Sequence, residues 1–590
     1  MAGGHGMGAE DDKANLDWGL TKRLLVRARP QWGQLALAAL LLLLISLGEQ
    51  AKPLLVKVLL DDHALKGDVA GALPWAAAFL GSILWVFGLQ TWQTIQTKAM
   101  GQDLMLDLRG ALFDKIHAQP LRYFDKNPVG SLMTRVIYDV ETLGEFFTNG
   151  VSAVFNDLFS LLIIAALLLK LDWRLGLLTL GLLPLLFWST VLFRRKAREI
   201  FRQVRTNNAA LNAALTENLG GIATVQLFNR QARNAEKFDR INRQSLDLQL
   251  AQVKVNALFL PLAELLATFS AGVILWYGGR RTFDAHLPLG TVVAATMYVK
   301  NLYQPLRDLT DKFSIFQSAM ASSERIFGLL DRQQEVEDPP VPRPLGPGRG
   351  RVEFQGVTFA YDEGRPVLHD VSFTVEAGSR VAVVGPTGSG KTSLVNVLLR
   401  FYPLQQGRVL LDGVPLDLAA RSEFRRRFAL VPQDPFLFSG SLLENLRLSD
   451  AAVPRERVEW ACRQVKADAF IAQLPGGYDA MLAEGGNNLS TGQKQLLSFA
   501  RALVFDPLVL ILDEATASVD TATEAEIQQA LEALLQGRSS ITIAHRLSTV
   551  IHSDKILVLK DGRIAEQGDH AQLMAQNGLY RSLIELQFKD

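Results

Sequence analysis

The residues best suited to chemistry lie in one stretch, Gly385–Ser393, which reads GPTGSGKTS. It follows the apolar, β-rich run Val381–Val384 and leads into SLVNVLLRF, which has helical spacing. In that strand, loop, helix context the pattern G-x-x-x-x-G-K-[ST] predicts phosphate binding. Gly385, Thr387, Gly388, Ser389 and Gly390 supply backbone N–H groups that can turn inward around an anion, and the helix start adds partial positive charge. Lys391 is placed to reach the β- and γ-phosphates of a nucleoside triphosphate and the Thr392 hydroxyl to ligate Mg2+, with Ser393 completing the loop.

A bound triphosphate needs groups that activate water. The run PLVLILDEATASVD at 507–520 is an apolar strand pattern ending in two carboxylates. Asp513 is expected at the Mg2+ and Glu514 beside the attacking water; the bland alternative is that the pair caps the next helix. Phosphoryl transfer asks for positioning and charge stabilisation rather than covalent help. Polar residues directly after other predicted strands are therefore candidates: Gln433 in ALVPQDPFLF for water and metal, and His545 in ITIAHRLST for the γ-phosphate. Tyr361 in FAYDEG is either an adenine-stacking ring or a core aromatic.

These residues occupy the second half of a chain of 590 residues with a net charge of +1, which gives no field for nucleic acid, and none is expected as a partner. Mean hydropathy is +0.14, with the apolar residues concentrated in the first half. The lone Cys462 excludes an internal disulfide, fits a reducing compartment and reads as a helix packing position. The Gly-rich, then acidic start shows no cleavable signal pattern, and residues 1–15 are expected to be disordered. DWGLTKRLLVRARP reads as an amphipathic helix on the cytoplasmic membrane surface. Apolar runs at about 33–60, 73–95, 151–171, 175–193, 257–278 and 288–306 predict six spans. Basic residues at 22–29 and 194–198 place both ends, and so the phosphate loop, in the cytoplasm; Arg280 and Arg281 stand against that rule. LDWR at 171–174 is then a tight external link. The polar segments between spans two and three, and four and five, read as long helices with short contact elements near 122–135 and 217–229. Glu49, Gln50, Lys52, Lys57, Glu264, Lys300 and Asn301 are candidates for lining a polar cavity, although Glu49 and Lys52 can instead pair. PPVPRPLGPGRG at 339–350 reads as a linker.

In order and spacing, Tyr361, GPTGSGKTS, Gln433, LSTGQKQ at 489–495, ILDEATASVD and His545 resemble the complete ATPase domain of ABC transporters. The half ahead of them, ending in LYQPLRDLTDKFSIFQSAMASSERIFGLLD, resembles the type I exporters (type IV fold) of drugs, lipids and peptides. The resemblance implies a six-helix membrane bundle with long cytoplasmic extensions, fused to an α/β P-loop ATPase. Its parts would be a membrane domain at 16–332, a linker at 333–350 and an ATPase at 351–590. ATP and Mg2+ are the implied cofactors. Two chains would close head-to-tail, with Ser490, Gly492 and Gln493 of one facing the ATP held by the other and Ser518–Asp520 crossing between sites. Segments near 122–129 and 217–224 would be coupling helices. The implied activity is ATP-driven export across the cytoplasmic membrane by a half-transporter. An ATP-gated channel or regulatory subunit is the alternative, and Glu514 argues against it. The signature reads LSTGQ, with Thr491 where the family usually has Gly, and LAEGGNNLS keeps an acid at Glu484 but lacks the usual basic residue. The altered signature favours an unequal pair over a homodimer.

Overall fold

The computed structural model describes residues 18–587 apart from 28, 285, 333–337, 363, 514–520 and 545–546. The start at 1–15, Glu514, Ser518–Asp520 and His545 lie outside the described residues. The chain divides into two compact units, Met1–Ile116 with Gly130–Arg332, and His117–Val129 with Gln333–Asp590.

The first unit is helical. Its elements are α1 (Trp18–Arg27), α2 (Trp32–Val58) and α3 (Val69–His117); α4 (Leu121–Lys126) belongs to the second unit. Then α5 (Val129–Thr134), α6 (Val140–Glu145) and α7 (Ser152–Leu171) run on through two π-helical turns. They are followed by α8 (Trp173–Gly220), α9 (Ile222–Leu227), α10 (Gln231–Phe283) and α11 (Leu289–Leu330). Among the described residues, Arg29–Lys66, Val69–His117 and Val129–Leu171 are long and apolar enough to cross a bilayer. The other expected spans fall within α8, α10 and α11. Several helices outrun their apolar runs: α3 continues to His117, α8 to Gly220, and α10 begins at Gln231, so the polar segments are helical continuations. The short elements α4 and α9 interrupt them where contact elements were expected.

The α7–α8 link is fixed by one carboxylate. Asp172 accepts from the N–H groups of Arg174 and Leu175, both at 2.9 Å, capping α8. It also lies 3.6 Å from Arg281. A basic residue out of keeping with the charge rule therefore has its acid partner at the same end of the helices. Below them Ile164, Leu168, Leu175, Ile274 and Tyr298 are fully buried in one cluster. The expected cavity residues divide. Gln50 is buried, its carbonyl accepting from the Tyr298 hydroxyl at 2.6 Å and its side chain from Asn301 at 3.3 Å. Glu49 pairs with Lys52 at 2.8 Å and Lys57 lies 3.6 Å from Asp61, whereas Glu264 and Lys300 are exposed.

The second unit holds β1 (Val352–Ala360), β2 (Pro366–Val375), β3 (Arg380–Val384), β4 (Gln406–Leu411), β5 (Val414–Pro415) and β6 (Phe428–Val431). They continue with β7 (Gly440–Ser441), β8 (Met481–Leu482), β9 (Val509–Asp513), β10 (Ser539–Ile543), β11 (Lys555–Lys560) and β12 (Arg563–Gly568). Strands β2–β1–β4–β5 form an antiparallel sheet; β12–β11–β3–β10–β9–β6 form a second sheet, parallel except for β12. The central strands read RVAVV, VLILD and SSITI and are buried almost throughout, as strands covered on both faces must be. Helices α12 (Lys391–Leu398), α13 (Arg421–Arg425), α14 (Leu442–Arg447), α15 (Arg455–Gln464), α16 (Asp468–Ile471) and α17 (Thr491–Val504) follow in chain order. Cys462 is buried on α15, where burial pushes its thiol up to about 12 and leaves it inert. The Pro-rich segment at 338–350 has no regular structure but is pinned to this unit. Leu345 N–H donates to Glu423, and the N–H groups of Arg349, Gly350 and Arg351 all donate to the Asp412 carboxylate.

In the first unit Asp139, only 4% exposed, accepts from Arg325 at 2.6 and 2.9 Å and from the Ser322 hydroxyl at 3.0 Å. Asp139→Ala removes the shared acceptor and is expected to cost about 2 kcal/mol. Thermal unfolding of the purified protein checks this, since an unchanged midpoint would show that these bonds contribute nothing net.

Candidate functional site

The site is set by strand register. In the parallel sheet Ile543 of β10 lies opposite Val383 of β3 on one side and Asp513 of β9 on the other, and Val431 of β6 lies opposite Leu512. Four strands therefore end level, and the carboxyl ends of parallel strands are where such sheets bind ligands. From β3 the chain enters Gly385–Gly390, from β9 it delivers Asp513, and from β6 it reaches Gln433, which is exposed.

Gly388 and Gly390 have φ of +82° and +103°, the left-handed region that glycine adopts without strain. At Gly385 the reason for glycine is closeness: a Cβ there would stand 2.2 Å from the Leu559 carbonyl oxygen. Gly390 is the N-cap of α12. Lys391, the first helical residue, is buried and folds back over the loop, donating to the carbonyls of Gly385 at 2.8 Å and Pro386 at 3.1 Å. Burial pushes its ammonium pKa down, and the negative charge of Asp513 opposes that shift. The Ser389 hydroxyl is buried with no hydrogen-bond partner, while Thr387, Gly388 and Thr392 are exposed. A glycine loop at a helix start, a buried ammonium and an unpaired buried hydroxyl together fit a polyphosphate.

The remaining predicted residues have further work. Ser393 is buried, and its hydroxyl lies 3.1 Å from that of Tyr361, which also accepts from Asn396 at 3.0 Å. Ser393 thus contributes its side chain to holding Tyr361. The Tyr361 ring is half-buried and edge-on to Phe359 and Tyr402, with centroids 4.8 and 5.0 Å apart. Sequence reasoning missed Asn396, Tyr402 and their neighbours. The Tyr402 hydroxyl donates to Asp125 of α4, and Lys126 pairs with Asp362 at 3.2 Å. The asparagine three residues after Ser393, on the same helix face, was the available signal; nothing local marks Asp125.

Ser490 caps α17. Its hydroxyl accepts from Gln493 N–H at 3.2 Å while its own N–H donates to the Gln493 side chain at 3.0 Å. Thr491 follows with an exposed side chain and is not among the residues with positive φ, so the helix start does not require glycine there. Gly492 is buried. The core side of α17 packs in a hydrophobic cluster with Val431 and Leu512, separate from the cluster beneath α12. Arg501 of α17 donates to the carbonyls of Asn445 and Phe436, tying the segment after Gln433 to this helix.

Helices long enough for a bilayer on the same chain as a strand-end phosphate loop define a membrane-linked P-loop ATPase. The ABC transporter transmembrane region family matches residues 35–306 and the ABC transporter family matches residues 368–517. The ATP-dependent lipid A-core flippase of Syntrophus aciditrophicus (strain SB) is 34% identical over 591 residues, covering 100% of this chain and 98% of its own. The probable multidrug resistance ABC transporter ATP-binding/permease protein YheH of Bacillus subtilis (strain 168) is 38% identical over 486 residues, 81% of this chain and 72% of its own. A solved bacterial Atm1-family ABC exporter with ATP bound superposes with a TM-score of 0.77 at 29% identity, covering 95% of this chain and 99% of that one. The chain belongs to the ABC transporter family, as an exporter half with its membrane region and its ATP-binding, ATP-hydrolysing domain on one polypeptide.

The lowered pKa of Lys391 sets a sign. The unfolded chain holds this proton more tightly than the folded one, so its contribution to folding stability rises as pH rises through the folded pKa. Phosphate binding has the opposite sign, because only the ammonium attracts the anion. ATP affinity is expected to fall on the alkaline side at a lower pH than an ordinary lysine would give, and Lys391→Arg to remove that fall. Titration of a fluorescent ATP analogue across pH measures it; identical profiles for both proteins would contradict the assignment.

Proposed function

We propose that this chain is one half of a dimeric exporter that couples ATP hydrolysis to alternating access and moves a drug-, lipid- or peptide-like substrate out across the cytoplasmic membrane. The observation that carries the reading is the level ending of β3, β9 and β6, which presents a phosphate loop, Asp513 and Gln433 together on a chain with membrane-crossing helices. On this reading there are six spans, and the N-terminus and ATPase domain lie in the cytoplasm. The relatives named for multidrug resistance and lipid A-core flipping support an amphipathic or apolar substrate.

Within the site, Lys391 and the loop N–H groups neutralise the β- and γ-phosphates. Thr392, Gln433 and Asp513 offer the oxygen donors that Mg2+ takes, and Mg2+ would supply charge neutralisation there. Glu514 accepts a hydrogen bond from the attacking water and His545 holds a γ-phosphate oxygen. Tyr361, held by Ser393 and Asn396, supports the base. The partner chain closes the site with its signature. At the start of α17 the capping box uses Ser490 and Gln493, leaving the N–H groups of Thr491 and Gly492 without acceptors inside the helix and available to an anion.

Thr491 in place of the usual glycine supports an unequal pair, in which this chain's phosphate loop meets a standard signature from a different half-transporter. Its exposed position on a regular helix start favours the second reading, a homodimer that tolerates threonine. Glu514→Gln is expected to keep ATP binding and lower turnover about 100-fold or more, with accumulation of substrate in inside-out vesicles lost in parallel. Wild-type turnover in that variant would remove Glu514 from the chemistry. Native mass measurement after expression alone, and after co-expression with a neighbouring half-transporter gene, separates the assemblies. A stable, active dimer of this chain alone would end the unequal-pair reading and leave the export reading intact.

A further inference from the structure

A cavity of about 700 Å3 opens between α1, α3 and α11 of the first unit, walled by Lys22, Arg23, Arg27 and Arg29. Its apolar wall is Val26, Pro30 and Phe327, and its acid is Asp107. Arg23 is committed. Both its terminal nitrogens donate to Asp331 at 2.6 Å, and its guanidinium lies 4.4 Å from the centre of the Phe327 ring. Among the described residues, no carboxylate lies within ion-pair distance of Lys22, Arg27 or Arg29. Three uncommitted cations thus face one acid, next to an apolar surface that includes Val26 at 57% exposure.

The place of the cavity in the chain names its occupant. Leu24 is buried and holds α1 against the unit. Only residues 28–31 separate α1 from α2, and the stretch Arg29–Lys66 is long and apolar enough to cross a bilayer. The cavity therefore sits where a spanning helix enters the membrane, at headgroup depth. Basic pockets between helices at this depth hold anionic headgroups, with the apolar wall taking the glycerol and first methylenes. We propose that the cavity between α1, α3 and α11 binds the phosphate headgroup of an anionic phospholipid from the surrounding bilayer.

The test uses the full chain in nanodiscs of phosphatidylcholine containing phosphatidylglycerol, with native mass spectrometry of the lipid retained after detergent extraction. Wild-type protein is expected to retain phosphatidylglycerol in excess over phosphatidylcholine. The combined Lys22→Gln, Arg27→Gln, Arg29→Gln variant is expected to bind it roughly 100-fold more weakly, from about fivefold lost per cation. Lys22→Arg, Arg27→Lys, Arg29→Lys is expected to keep the excess. Turnover of ATP in pure phosphatidylcholine should be the same in all three, which separates loss of lipid from loss of fold or of ATPase function. Val26→Glu is a second, single-site disruption of the same wall and is expected to lose the excess too. Undiminished phosphatidylglycerol retention by the neutralised variant or by Val26→Glu overturns the proposal. Displacement of the lipid by added inorganic phosphate also overturns it, because the cavity would then be a site for soluble anions.

Discussion

Ile543 pairs with both Val383 and Asp513, so the phosphate loop and the carboxylate strand cannot move independently along the sheet. A slip of one residue between β10 and β9 would turn Asp513 to the opposite face, and a slip of two would carry it about 7 Å along the strand. Either would leave Lys391 without the negative charge that offsets its burial. The near-continuous burial of VLILD and SSITI holds that register, because every side chain on both faces has a place in a packed core. The chemistry at the loop is therefore a property of the sheet as much as of the glycines.

This part of the fold was legible because its information is local. A β-rich run, a glycine loop and a helix read directly as a phosphate site, and strand ends followed by Asp513 and Gln433 read as their companions. Roles that depend on distant partners were not legible. Ser393 looks like part of the loop, yet its hydroxyl is spent on Tyr361, thirty-two residues away in sequence. Thr491 reads as a departure from the family's glycine, and what the sequence does not show is that the residues around it form a capping box at a regular helix start. The Pro- and Gly-rich stretch reads as a linker; what its composition does not show is that its N–H groups find Glu423 and Asp412.

The membrane half shows the same division. Apolar length identifies helices, while polar residues within them announce only that a partner is needed, because hydrocarbon offers none. The structure supplies the partners by joining α2, α7 and α11. Gln50 meets Tyr298 and Asn301, Ser46 lies 3.4 Å from both Asn156 and Ser160, and Lys312 pairs with Asp157. These residues lace helices together. Of the polar side chains expected to line a cavity, Glu264 and Lys300 remain exposed on α10 and α11. Arg281, one of the two arginines that stand against the charge rule, lies 3.6 Å from Asp172.

The second unit is discontinuous in the chain. Residues His117–Val129, with Asp125 bonded to Tyr402 and Lys126 to Asp362, leave the ribosome long before Gln333–Asp590. Domains fold as units and in the order of synthesis where they can, but this one has a piece that must wait. Until Gln333–Asp590 has been made, α4 lacks the partner of its Asp125 carboxylate, Tyr402, and its Phe124 is half-buried only in the finished unit. Completion of the ATPase unit therefore reports that the membrane helices encoded between its two pieces have been made, and a chain truncated before β1 leaves an unpaired early segment for quality control to recognise.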